Sequence, residues 1–543
     1  MRRSPFALRA IPLILLAGFL SLPVLAVLAS WLPFSTPGGD GAQSLSILRE
    51  MAATVLPGYL WTTLWLSLLV ALGAAIVGTA AAATVTLFDF PGRRTFEWLL
   101  LLPLAMPAYV TAYAYTDFLQ FSGPLQVGLR NTFGWEGRLL PEVRSLGGAV
   151  WVFIFSLYPY VYLLARTALG ERAAQLMEAA RLLGAPLPRR IRTVALPLAR
   201  PAVAAGVALV LMEVLADFGV SSYFGIQTFT AGIYKAWLSM DNRVAAAQLA
   251  TMLLALVLVL LHMEHRAERR MRFAVTGGRA GSAEAQPVPL RGARCAAAWA
   301  VCAVPVVMGF VAPVLFMLRP LVADWSVLPW ARFADWAWNS VRLSGITAGL
   351  AVAMAVALAF AVRRQPDRIT RGVVQLASLG YAVPGAVIVV GLLLPVGWLQ
   401  AAAPHWGVGG LVTATAFGIV WAYLVRFCAV ALQSLQSGYA RIPLNLDASA
   451  RMLGAGSTRL LTRVHWPLLQ RSAAAAALLV FVDAMKELPA TMVLRPFNSD
   501  TLAVVAYQLA RDERLGEAAL PSLALVAVGL VPVILLSRTL RSR

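Results

Sequence analysis

Charge is scarce in this chain: of 543 residues only 13% are Asp, Glu, Lys or Arg, against 60% hydrophobic. Lysine is confined to Lys235 and Lys486, and no Gly-x4-Gly-Lys-Ser/Thr loop occurs, which excludes a phosphate-cradling ATPase within the chain. The three cysteines, Cys295, Cys302 and Cys428, have no disulfide or zinc spacing and read as small buried hydrophobes. Of four histidines, only His262 and His265 are neighbours. His262-Met-Glu264-His265 runs into Arg266, Arg269 and Arg270, so it reads as a polar cap at a membrane interface. His405 and His465 are isolated and read as surface or interfacial residues. Neither a catalytic residue nor a metal site is expected.

What the chain has instead is apolar length. A helix crossing a hydrocarbon layer of ~30 Å needs roughly 20 mainly apolar residues. About twelve runs qualify, near 10–32, 57–86, 97–119, 147–166, 202–224, 244–263, 296–318, 341–362, 372–397, 409–432, 472–494 and 519–537. They are continuously apolar, whereas barrel strands would alternate, so the expected class is an all-α polytopic membrane protein. The net charge of +20 could suit nucleic acid, but most Lys and Arg fall on one side of the spans, as the positive-inside rule expects with both termini cytoplasmic. Arg2, Arg3 and Arg9 begin that pattern; Arg538, Arg541 and Arg543 close it. The partner implied is a bilayer, with no nucleic acid. The opening run, 11–32, exceeds the roughly 7–15 apolar residues of a secretory signal and is expected to stay as the first helix.

The chain is also written twice. Glu178-Ala-Ala-Arg-Leu-Leu-Gly184 returns as Ala448-Ser-Ala-Arg-Met-Leu-Gly454, and Leu196-Pro197 as Trp466-Pro467. Leu66-Ser67 matches Leu343-Ser344, Met106-Pro107-Ala108 matches Val383-Pro384-Gly385, and Pro23-Val-Leu matches Pro313-Val-Leu. Six helices per copy give both copies one orientation, a parallel repeat. The expected division is a first transmembrane domain, 1–265, a polar Gly- and Pro-containing cytoplasmic linker, 266–294, and a second transmembrane domain, 295–543.

Between the fourth and fifth helices of each copy lies a basic segment. In the first, Glu171 to Leu183 can form an amphipathic helix, Gly184 permits a turn, and Leu187 to Val194 can form a second helix that Pro197 ends. These residues resemble the signature of permease subunits of ATP-binding-cassette importers: Glu-Ala-Ala, three residues, Gly, then a short helix and Pro. Glu178, Ala179, Ala180, Gly184 and Pro197 fit it fully. The second copy keeps Gly454 and Pro467 but has Ala448 at the Glu position, Ser449 at an Ala position and an acid, Asp447, one place earlier. The resemblance implies a type I importer permease fold, two copies of a cytoplasmic ATPase docked on the two loops, a periplasmic solute-binding protein and an inner-membrane location. ATP would be used by the partner; no cofactor belongs to this chain.

Further stretches, Leu104-Ala-Met-Pro-Ala-Tyr-Val-Thr-Ala-Tyr, Ala216-Asp-Phe-Gly-Val, Tyr381-Ala-Val-Pro-Gly and Lys486-Glu-Leu-Pro-Ala-Thr, resemble the fused ferric-iron permeases, which makes ferric iron the expected cargo. Thiamine, sulfate, polyamine and aminophosphonate permeases share the fold and are the alternatives; a proton-coupled secondary transporter is the other class, in which the paired loops would have no role. Glu213 and Asp217 share a face of the fifth helix, and Asp483 and Glu487 occupy the matching places in the eleventh, beside Lys486. Ionisable groups at that depth face a cavity or a partner. They either line a cation path or pair structurally with Lys486 and helix-end arginines.

Overall fold

The computed structural model describes residues 6–31, 41–170, 174–273, 287–326, 328–364 and 367–541, and these are almost entirely helical. Among them, eleven helices are long and apolar enough to cross a membrane, or twelve if one bent pair counts as a span. Helix Leu56–Leu87 shows why such helices belong in lipid. Tyr59, Thr63, Leu66, Val70 and Ala74 are buried along one stripe, whereas Trp61, Leu64, Leu68, Leu72 and Ile76 form a bare apolar stripe on the other. Water would not tolerate that second stripe, but lipid tails do. The protein is multi-pass.

The third expected span is the bent pair: Arg93–Ala105 and Ala108–Phe133 meet at 89°. Pro107 has an extended backbone, φ −60°, ψ 142°; it lacks an N–H and bars the preceding residue from helix. The second copy breaks at the matching place, where Pro384 (φ −56°, ψ 142°) separates Arg368–Leu379 from Gly385–Ala402. The fifth helices break too. Leu196–Ala216 stops at Asp217 and resumes as Gly219–Tyr223; Trp466–Lys486 stops at Glu487 and resumes as Pro489–Leu494.

Contacts divide the chain into two compact units that differ from the two sequence copies. One comprises Met1–Ala53, Ile233–Leu254 and Trp330–Val505; the other Thr54–Gly232, Ala255–Pro329 and Ala506–Arg543. Each unit keeps the central helices of one copy and takes the first helix of the other. In the first unit Phe19 stacks on Trp421 at 4.7 Å, and Trp421 Nε1 donates to the Phe19 carbonyl at 2.9 Å. In the second, Phe316 stacks on Phe118 at 3.9 Å, and the Tyr115 hydroxyl donates to the Met308 carbonyl at 2.7 Å.

Of the polar stretch 266–294, residues 266–273 and 287–294 are described. Helix Arg243–Phe273 continues through its first residues, because no Gly or Pro intervenes before Gly277. Val288–Pro289 then pairs in parallel with Phe88–Asp89. Residues 274–286, like Arg2, Arg3 and Arg543, lie outside the described residues. Cys302 and Cys428 are buried and all three cysteines are free. Among the described residues no cluster of His, Cys, Asp or Glu is arranged to hold a metal.

Candidate functional site

Both loops between the fourth and fifth helices fold alike. Helix Ala174–Leu182 ends in a turn where Gly184 has φ +79°, its N–H donating to Arg181 O at 2.9 Å and the Ala185 N–H to Ala180 O at 3.0 Å. Helix Leu444–Met452 ends identically: Gly454 has φ +79°, its N–H donates to Arg451 O at 3.0 Å, and the Ala455 N–H to Ala450 O at 3.0 Å. This pair of bonds is the Schellman motif, whose left-handed residue is glycine because a Cβ is penalised there.

The turn lifts two apolar side chains out of each helix. Leu182 and Leu183 are 80% and 88% exposed, Met452 and Leu453 90% and 89%. Glu178 is half-buried and pairs with Arg181 at 3.5 Å; Ala448, at the matching place, is exposed.

Pro197 and Pro467 do not end the second helix of each loop, as their ring chemistry leads one to expect. Leu187–Ala216 and Ser457–Lys486 each run continuously for 30 residues. A π-helical stretch, Ile191–Ala195 or Leu460–His465, precedes each proline. Its wider winding relieves the clash that the ring would make with the carbonyl one turn earlier.

Asp447 takes a place opposite to that of a docking acid. It is buried, and Arg363 grips it with two bonds, Nε to Oδ2 at 3.0 Å and Nη2 to Oδ1 at 3.1 Å. The same guanidinium donates to the carbonyls of Ile442 (2.9 Å) and Pro443 (3.0 Å). His465, read from sequence as surface or interfacial, is fully buried. Its Nε2 lies 3.1 Å from Asp447 Oδ1 and its Nδ1 3.3 Å from the Tyr439 hydroxyl. An ionised carboxylate only accepts, so Nε2 carries a proton toward Asp447.

Burial pushes the Asp447 carboxyl up, but the Arg363 and His465 hydrogen bonds and charges outweigh it and hold the group below its usual value. A depressed folded pKa stabilises above the unfolded value, about 3.9, and that contribution disappears as pH falls through the folded value. The stability difference between wild type and Asp447→Asn in detergent should therefore shrink as pH falls below about 4; thermal unfolding through that acid range checks it.

The helix breaks use two of the four acids in the fifth and eleventh helices. Asp217 Oδ2 accepts from Val220 N, Ser221 N (both 3.1 Å) and Ser221 Oγ (3.3 Å). Glu487 accepts from Ala490 N and Thr491 N (3.1 Å) and Thr491 Oγ1 (3.0 Å). Each carboxylate thus satisfies the first N–H groups of the short helix beyond the break. Glu487 has a cation as well, Arg426 Nη1 at 3.3 Å. The third-helix break closes on the same place: a Cβ on Gly385 would sit 2.8 Å from Glu487 Oε1 and 2.9 Å from Arg426 Nη1. Glu213, Asp483 and Lys486 are half-buried, within a turn of the breaks.

Sequence reading missed Arg363, Tyr439, His465 and Arg426. An arginine at a helix end, as Arg363 is, reads as topology, and no local pattern marks Arg426, inside helix Ala416–Tyr439, as the partner of Glu487.

Residues 74–273 match the family described as binding-protein-dependent transport system inner membrane component. The chain is 25% identical to the Fe(3+)-transport system permease protein FbpB 2 of Haemophilus influenzae, with 99% of each chain covered. It is also 25% identical to the probable ABC transporter permease protein y4fN of Sinorhizobium fredii, over 96% of this chain and 94% of the relative. The sulfate transport system permease protein CysW of Escherichia coli is 28% identical over 42% of this chain and 78% of its own length. The matched segment, the full-length likeness and the loop repeated in the second half make the chain similar to binding-protein-dependent transport system inner membrane components.

Proposed function

We propose that this chain is the permease of an ATP-driven importer and carries ferric iron across the inner membrane. The observation behind this reading is the pair of matched loops, each presenting two bare apolar side chains on a rigid Schellman turn. An apolar knob on a short helix suits a groove on a soluble partner. Two such knobs suit two copies of a cytoplasmic ATPase, which hydrolyse the ATP. The termini and both loops are then cytoplasmic, and a periplasmic binding protein delivers cargo to the opposite face. Iron is favoured because a relative covering 99% of the chain is named for Fe(3+) transport, whereas the sulfate relative covers 42%.

Within the permease, Asp217 and Glu487 organise the broken helices, and each unit carries a further acid one turn earlier, Glu213 in one and Asp483 in the other, as a candidate for contact with a cation in transit. The test is reconstitution in proteoliposomes with the cognate ATPase and a binding protein loaded with radiolabelled ferric iron. ATP-dependent iron accumulation is the expected result. Uptake of sulfate or 2-aminoethylphosphonate in place of iron would reassign the cargo, and an extracytoplasmic reporter signal at Gly184 or Gly454 would end the importer reading.

A further inference from the structure

The two loops share one backbone and one burial pattern but rest on different chemistry. In the register that aligns Leu66 with Leu343 and Glu178 with Ala448, four positions change together. Thr86, Leu169, Met177 and Ala195 in the first copy become Arg363, Tyr439, Asp447 and His465 in the second. Leu169, Met177 and Ala195 are buried, as are Tyr439, Asp447 and His465. The first loop is therefore seated on apolar contacts at these positions. The second is held by a buried ion pair, an imidazole and a phenol, with the Arg363 and Asp447 side chains only 12% and 8% exposed.

These seats differ mechanically. An apolar contact is non-directional, and a small slide exchanges one set of weak attractions for another. A two-pronged guanidinium–carboxylate pair has fixed geometry, and separating it leaves two buried charges unmatched. Arg363 ends helix Trp330–Arg364, His465 leads into helix Trp466–Lys486, and Tyr439 ends helix Ala416–Tyr439. Asp447, on the loop helix, thus ties the loop to two membrane helices directly and, through His465, to a third.

We infer that Asp447 is a positioning residue: with Arg363 and His465 it clamps the second loop to its membrane helices, so that a push on this loop moves them as one body. The acid beside the motif position has turned inward to transmit movement, leaving the first loop, with Glu178, to make the charged contact with its ATPase. This rests on the reading that both loops receive ATPases.

Three variants test it in proteoliposomes with the ATPase and the iron-loaded binding protein: Asp447→Asn, Arg363→Lys, and the fourfold change Arg363→Thr, Tyr439→Leu, Asp447→Met, His465→Ala. The last installs the first loop's own residues, so it removes the clamp without leaving a charge stranded. Iron moved per ATP hydrolysed is measured beside ATP hydrolysis and permease abundance. The expected result is a fall of about tenfold in iron per ATP for the fourfold variant, with hydrolysis within about twofold of wild type, the size of a lost coupling between two sites. Arg363→Lys, which keeps charge but not the two-pronged grip, should fall between.

Wild-type iron per ATP in the fourfold variant would overturn the clamp. Failure of all three variants to accumulate in the membrane would also overturn it, because the cluster would then serve folding alone. Absence of ATP-dependent iron uptake in the wild-type vesicles would instead count against the importer reading, so the two failures are distinguishable.

Discussion

Replacing Gly184 by proline is expected to lower ATP-dependent uptake by at least about tenfold while the permease stays in the membrane. Gly184 sits at φ +79°, and the proline ring locks φ near −65°, so the Schellman turn cannot form. Leu182 and Leu183 then leave the direction in which the turn holds them. The damage should stay local, because a Cβ at Gly184 would meet no heavy atom within 4 Å. Glu178→Ala should reduce uptake too, since it strips the motif acid from the first loop, whereas Ala448 has no charge to lose. Transport and abundance measured together check this. Unchanged uptake in both Gly184→Pro and Glu178→Ala would show that the ATPase engages elsewhere.

The largest expected loss of stability follows from Glu487→Ala. This change strands the Arg426 guanidinium, whose side chain is 16% exposed, and removes the acceptor for Ala490 N and Thr491 N. Breaking a buried pair from one side costs about 3–5 kcal/mol, enough to reduce permease abundance severely in a marginally stable protein. Asp217→Asn should cost less, because the amide oxygen still accepts from the helix start and no ion pair at Asp217 is found among the described residues. Joint replacement, Arg426→Met with Glu487→Gln, should recover much of the abundance by removing the stranded charge. Quantitative immunodetection in membranes measures all three. Wild-type abundance of Glu487→Ala would show that the acid is not holding the break. If abundance recovers in the double variant but uptake does not, the broken helix has a part in transport beyond stability.

The sequence anticipated features whose causes lie near one another along the chain. Apolar runs marked the spans because each crossing is a local question of length and hydrophobicity, and the duplicated Glu-Ala-Ala-Gly segment marked both loops because a Schellman turn needs only a glycine at the end of a short helix. Met106-Pro107 and Val383-Pro384 were visible as matching positions. That the chain turns there by 89° in the first copy depends on what each half of the helix packs against.

The acids show the limit most clearly. Asp217 and Glu487 read as acids facing a cavity or a partner and Asp447 as an acid of the docking loop, yet the first two cap broken helices and the third is buried against Arg363. Each role is set by partners distant in sequence or brought near only by a bend: Arg426 lies 61 residues from Glu487, and Arg363 lies 84 from Asp447. The exchange of first helices was equally illegible, since Phe19 meets Trp421 across 402 residues and nothing in either local pattern names the other. By itself the sequence determined a twice-repeated bundle of membrane helices with two glycine-turned loops, because length, periodicity and turn chemistry act over a few residues. Only the tertiary structure decided which copy's first helix packs where, which acids face backbone N–H groups and which loop rests on a buried charge, because those depend on desolvation and contact between segments that meet only when the chain is folded.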